Sequence, residues 1–309
     1  MEDIHSVNLD ASETVFFARQ LESVKSRTYD IKFAPFKALD LFPVSTDAGP
    51  GAEAITYRQF EETGIARVIS SYADDLPRAD VRGKEFISRV KSLGVSYGYS
   101  HQEIRAAMHA NKPLQTMQAS ASRRANDQAV NKLAWFGDEE YNLQGLLNNP
   151  NIPSASVEND GTGNSTLWVD KTPDQILRDL NQFTNAIIDL TKGVETPNTV
   201  LLPIEQYTLI SSTPRSSTSD TTILDYFLRN NPFIDFVDWV PELKEAGPND
   251  SDIFVVYDRN PDKVEIQVPM PFTQYAPQEL NLEFIINCES RFGGMLTYYP
   301  LSLNIGEGI

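Results

Sequence analysis

Residues able to do acid, base or metal chemistry are sparse in this chain and poorly spaced for it. It has three histidines, and His101 and His109 stand about two helical turns apart, whereas a chelating pair on one helix face sits one turn apart. With His5 they read as solvated or core side chains. Glu61-Glu62, Asp74-Asp75 and Asp138-Glu139-Glu140 place carboxylates side by side, the raw material of paired acid/base work. Sequence neighbours point apart, however, and these fall at expected turns or exposed strands, so solvated charge is the plainer reading. Asp160, Thr162 and Asn164 have calcium-loop spacing, yet Ser165 replaces the required Gly and Lys171 stands where a bidentate Glu belongs. Arg82-Gly83-Lys84-Glu85 has the look of a phosphate-loop end, but Glu follows the Lys and Arg78 occupies the earlier Gly position. No GxSxG, HExxH or CxxC motif occurs. The single cysteine, Cys288, has no His near it in sequence and reads as a small buried strand residue. No catalytic residue, cofactor or metal site is expected.

The informative residues are instead those that build elements, above all from Ser100 to Pro153. Ser100 stands three residues before Glu103, the spacing at which the two side chains satisfy free N–H groups of a first helical turn. Apolar or small residues follow at Ile104, Ala107, Met108, Asn111, Leu114, Met117, Ala121, Ala125, Ala129, Leu133 and Phe136, which predicts one inward stripe. Pro113 splits the run into a short helix ending near Asn111 and a long one from about Pro113 to Phe136, stopped by Gly137. Arg123, Arg124, Asn126, Asp127 and Lys132 are expected on the solvent face.

A long helix ending in RRANDQAVNKLAWFG and running straight into NLQGLLNNPNIP resembles the major capsid proteins of tailed bacteriophages, the group related to encapsulin shells, with the Hong Kong 97 phage fold. The helix end, the Trp-Phe-Gly stop and the Gly-Leu-Leu-Asn-Asn-Pro turn occur in that order with little between them, and the order of later features extends the resemblance to most of the chain. The resemblance implies an α+β fold with an N-terminal arm at 1–44 and an extended β-hairpin loop with flanking strands at 45–99. It also implies a peripheral domain with a spine helix at 100–164 and 271–309, and an axial α/β domain at 165–270.

The remaining segments can be read on their own terms. In 1–44 a basic patch (Lys25, Arg27, Lys32, Lys37) and the pairs Phe16-Phe17 and Leu41-Phe42 fit either an arm that finds partners on a neighbouring subunit or a helix docked on its own domain; the resemblance favours the arm. From Ala54 to Tyr99 the period is two: ITYRQF, GIARVISSY and EFISRVKSLGVSYGY read as strands, with Asp74, Asp75, Pro77 and Asp80 in a polar turn. A ribbon of this kind is marginal in water and needs something to pack on. Residues 154–170, rich in Ser, Asn, Gly and Thr, read as a flexible connection. Thr172, Pro173 and Gln175 open a helix with Ile176, Leu177, Leu180, Phe183, Ile187 and Leu190 on its apolar face. TVLLP, FIDFVDWV, DIFVVYD and KVEIQVPM read as strands, IEQYTLIS and SDTTILDYFLRNNP as helices, and ELNLEFIINCES with GGMLTYYPL as an antiparallel pair turned at Gly293-Gly294.

Composition bounds the function. The 309 residues can bury a substantial core, no apolar run is long enough to cross a bilayer, and the start MEDIHSVNLD is acidic where a signal peptide is basic. A cytoplasmic site of synthesis is expected, with no membrane partner. The net charge of −17 lies wholly in residues 138–309, which hold 9 basic and 26 acidic side chains against 17 of each in 1–137. That argues against tight DNA binding. An acidic container wall along which DNA slides is a separate matter, and solubility explains the excess equally well.

The expected function is a major capsid protein that self-assembles, as hexamers and pentamers, into the icosahedral head shell of a tailed phage and encloses DNA without reading its sequence. Portal, scaffolding and decoration proteins are the further partners. Candidate interface residues are Arg67, Asp74, Asp75, Pro77, Arg78 and Arg82; candidate hinges are Pro113, Gly161 and Gly163. Lys84 and Lys91 fall in the loop region, but no motif marks an acceptor, so no covalent crosslink is expected. The rivals are an encapsulin-type compartment shell and, from another class, a cytoplasmic carboxylate-dependent hydrolase.

Overall fold

A computed structural model describes residues 34–63, 80–110, 114–216, 218 and 220–309. Along the chain come α1 (Ala38–Leu41), β1 (Val44–Ser45), β2 (Ala54–Thr63), β3 (Asp80–Arg89), β4 (Lys91–Ser100), α2 (His101–Ala110), α3 (Leu114–Phe136) and β5 (Ser154–Ser156). There follow α4 (Pro173–Leu190), β6 (Thr199–Leu202), α5 (Ile204–Ser212), α6 (Ile223–Asn230), β7 (Phe236–Trp239), β8 (Ile253–Tyr257) and β9 (Val264–Gln267). The last strands are β10 (Met270–Gln274), β11 (Gln278–Leu280), β12 (Glu283–Phe292), β13 (Met295–Thr297) and β14 (Leu303–Glu307).

Two layers of helix on sheet organise residues 36–309. In the first, β4 and β12 pair antiparallel over ten residues, with β10 and β11 on the other side of β12, and α3 lies across the sheet. In the second, five strands run in the order β5-β14-β8-β6-β7. Every residue of β6 and β8 is buried, which explains the apolar runs Val200–Leu202 and Ile253–Val256: a strand covered on both faces has no polar side to show. α4 packs on β14 in this layer, and Gly306 makes close packing feasible, since a Cβ there would stand 2.0 Å from the Phe254 ring. The segment 36–45 enters the core that α3 and β8 share. Phe42 meets Trp135 edge-on at 5.5 Å and Tyr257 at 4.9 Å, and the Tyr257 hydroxyl donates to the Leu41 carbonyl. Ala38, Leu41 and Phe42 of the segment read as an arm are therefore core.

The local start and stop signals hold. Ser100 N–H donates to the Glu103 carboxylate at 2.8 Å while Glu103 N–H donates to Ser100 Oγ at 3.2 Å, so α2 begins on a reciprocal cap. Gly137, at φ +63°, ends α3.

Four expectations are corrected. Met117, Ala121, Ala125 and Phe136 of the predicted inward stripe are exposed; α3 instead buries Ser122, Asn126, Val130, Ala134 and Trp135. Asn126, expected in solvent, is inward because its side-chain carbonyl accepts the Ser290 hydroxyl of β12. Residues 154–170 are tied down: Gly161 N–H donates to Ser165 O and Thr162 N–H to Asp170 O, both at 2.9 Å, and Trp168 is buried. Finally, Gly293-Gly294 is no hairpin turn, because β12 and β13 belong to different sheets. The hairpin is β11–β12, turned at Asn281 (φ +58°) and Leu282. Two smaller differences are that Asp80 opens a strand and that Leu190 is exposed.

Candidate assembly surface

β2 and β3 form an isolated two-stranded ribbon in register from Ala54 opposite Arg89 to Thr63 opposite Asp80. Alternation gives it two faces. Tyr57 and Phe86 stack at 5.1 Å on the face turned to the body, where the Tyr57 ring meets Tyr298 at 4.8 Å. Gln59 donates to the Tyr298 carbonyl and Ser88 Oγ to the Gly293 carbonyl. The other face carries Thr56 opposite Ile87, Arg58 opposite Glu85, and Phe60 opposite Gly83. Arg58 and Glu85 pair at 3.1 Å, while Phe60 and Ile87 are 67% and 66% exposed. Two large apolar side chains flanking an ion pair on one open face are what a partner surface requires and what a lone chain in water gains nothing from.

Of the residues singled out in the sequence, Arg67, Asp74, Asp75, Pro77 and Arg78 lie outside the described residues, as does the whole GIARVISSY segment. Arg82 sits in β3 opposite Glu61. Pro113 lies outside the described residues. Gly161 is packed so that a Cβ would stand 2.7 Å from Ser165 O, whereas Gly163, at φ +75°, has open space around it. Phe60 and Ile87 were missed in the sequence, although the signal was there: each breaks a strict polar alternation on the outer face.

His5, Asp74 and Asp75 lie outside the described residues, and several of the other groups that invited catalytic readings are held in structural contacts. The Lys171 ammonium, buried with Asp179, meets it at 2.6 Å and Asp160 at 3.3 Å, and Arg178 also pairs with Asp160. Partial burial works to raise the Asp160 pKa, but the hydrogen bonds from Arg178 and Lys171 outweigh it and hold the carboxyl below its ordinary value. Burial pushes the Cys288 thiol up, away from the nucleophilic thiolate. His101 Nε2 lies 3.3 Å from a Glu279 oxygen. Asp138 Oδ1 accepts the N–H groups of Glu140 and Tyr141 and so closes its own turn. Among the described residues no three His, Cys, Asp or Glu side chains gather at metal-binding distance.

The Gly137–Pro153 stretch has its own physical logic. A Cβ on Gly145 would stand 2.3 Å from Gly137 N, so both positions need glycine; Asn148 Oδ1 accepts Gly145 N–H, and Asn149 Oδ1 accepts Asn151 N–H. These contacts fix the spacing of Trp-Phe-Gly to Asn-Asn-Pro.

The fold matches the capsid of Myoviridae phage XM1 with a TM-score of 0.82 at 16% identity, covering 94% of this chain and 98% of that one. It matches a structure from Mycobacterium phage Ogopogo at 0.62 with 14% identity (94% and 98% covered). It also matches a virus-like particle from Pyrococcus furiosus at 0.55 with 10% identity (87% and 91% covered). These likenesses give the α+β Hong Kong 97-like fold. No curated protein sequence matches the chain. The family model described as major capsid protein matches residues 64–309, which include every element from β3 to β14. The chain belongs to the major capsid protein family: a virion wall component that works by contact between copies and not by catalysis.

Proposed function

We propose that this protein self-assembles, as hexamers and pentamers, into the icosahedral head shell of a tailed bacteriophage and encloses double-stranded DNA. The observation that carries the reading is the ribbon, attached at its base through Tyr57, Gln59 and Ser88 while Phe60 and Ile87 face outward. Its outer face would lie over the adjacent subunit, with Arg67, Asp74, Asp75, Pro77, Arg78 and Arg82 setting register and partner choice through ion pairs worth about 0–1 kcal/mol each. Many such modest contacts add up over a closed lattice.

In this reading 1–44 serves as the arm, anchored at Ala38, Leu41 and Phe42 in its own subunit's core, 45–99 as the extended loop, 100–164 with 271–309 as the peripheral domain and 165–270 as the axial domain, although β14 belongs to the sheet of β6, β7 and β8. Pro113 is the hinge on which subunits would tilt during maturation, whereas Gly161 and Gly163, the other two candidates, belong to a loop closed by its own backbone bonds that would move as one piece. Portal, scaffolding and decoration proteins are the further partners. The test is to express the full chain and examine it by sedimentation and negative-stain microscopy. Closed shells free of protein cargo are expected. Shells filled with a protein cargo would favour a compartment, and a lone molecule at every concentration would defeat both.

A further inference from the structure

Two apolar patches stand at opposite ends of α4, and the reading above does not use them. At the start, Leu167 and Val169 flank the buried Trp168, and Val169 is 74% exposed. The loop that presents them is rigid: backbone bonds from Gly161 to Ser165 and from Thr162 to Asp170 close it, and the Lys171–Asp179 pair locks it to the helix. Beside it runs a groove of about 530 Å³ whose rim holds four carboxylates, Glu205, Glu245, Asp250 and Asp252, against one ammonium, Lys244. At the far end Leu190 and Val194, the latter 77% exposed, stand on either side of the exposed Lys192. That end is rigid too. Gly193 N–H donates to Ile188 O at 2.8 Å, and Thr191 Oγ1 donates to Ile187 O and accepts Glu195 N–H. Asp189 sits on the preceding turn, so this end is close to neutral where the other is acidic.

We infer that the Leu167–Val169 end of one subunit docks on the Leu190–Val194 end of a second copy, making a head-to-tail contact that closes a ring. Distance and charge select this pairing. An 18-residue helix separates the ends by about 27 Å, so they cannot cover each other within one chain. Pairing like with like would set acidic rim against acidic rim, which is repulsive, whereas the unlike pairing brings Lys192 to the carboxylates. Unlike faces on one subunit generate a rotation, and a rotation that closes is a ring. Preformed loops at both ends lose little conformational freedom on docking. The inference rests on the shell reading and specifies which faces meet inside a capsomer.

The test uses the full chain assembled into particles and a short bismaleimide linker, with Cys288 buried and out of reach. Val169→Cys and Val194→Cys subunits mixed in one particle should give linked pairs, and the double variant should give a ladder ending at ring size. Each single variant alone should give none. Particles of the double variant without links, or links within either single variant, overturn the inference. As a second measurement, Val169→Glu and Val194→Glu should each raise the concentration needed for assembly roughly tenfold or more, with circular dichroism unchanged; unchanged assembly of both overturns it. A wild-type chain that forms no particles at all would instead remove the shell reading.

Discussion

The Lys171 ammonium is a fully buried cation on which two carboxylates converge. In the sequence Lys171 spoiled a calcium loop; in the fold it takes the place of the cation, with its ammonium buried between Asp160 and Asp179. Removing one partner of such a buried pair leaves an uncompensated charge, which is why a loop of Ser, Gly and Thr can be rigid here. The Asp160 carboxyl, held below its ordinary value, binds its proton later in the folded chain than in the unfolded one. Its contribution is therefore present above the ordinary carboxylate range and is lost only as pH falls through and below it. Trp168 emission, in a chain where Trp135 and Trp239 are Phe, should stay constant from neutral pH to the ordinary Asp value near 3.9 and shift to the red only below it. A shift well above that value would mean the clamp is not ionic.

At the scale of the element, α3 was legible in length and stop but not in facing. Its Ala and Met residues follow helical spacing because they are good helix formers, whichever way they point. The inward side was chosen by pairings no local pattern contains: Asn126 with Ser290, and Asn131 with the backbone of Ala38 and the carboxylate of Glu242. Asn126→Leu should cost about 1–3 kcal/mol in urea unfolding of the unassembled subunit, since it leaves a buried Ser290 hydroxyl without its acceptor. Ala125→Leu, one position along and exposed, should cost less than about 0.5 kcal/mol. Equal costs would restore the stripe that periodicity predicted. Caps and turns, by contrast, were readable from Ser100, Glu103, Gly137 and Thr172 alone, because their partners lie within three or four residues.

For the whole molecule, the order of elements could be read from the sequence, but strand partners could not. β4 joins β12 across nearly two hundred residues, and β13 turns away from β12 to pair with β9. Nothing in the local alternation of ELNLEFIINCES specifies that choice. The ribbon was legible because its two strands are complementary to each other along their whole length. Joining Phe60 directly to Gly83 through an Asn-Gly turn should leave the thermal midpoint of the subunit within about 2 °C, because base contacts through Tyr57 and Gln59 remain, while particle formation is lost. Retained particles would show that the ribbon is not what joins the subunits.

β14 sits between β5 and β8, so residues 303–307 fill the gap in a sheet whose other strands were all synthesised earlier. A chain still emerging from the ribosome has an open slot there, with the hydrogen-bonding edges of β5 and β8 bare and Phe254 lacking its cover at Gly306. Prematurely terminated translation products carry the same vacancy for good. The shell thus draws on subunits that already carry residues 303–307, and the fold itself screens its building blocks for them.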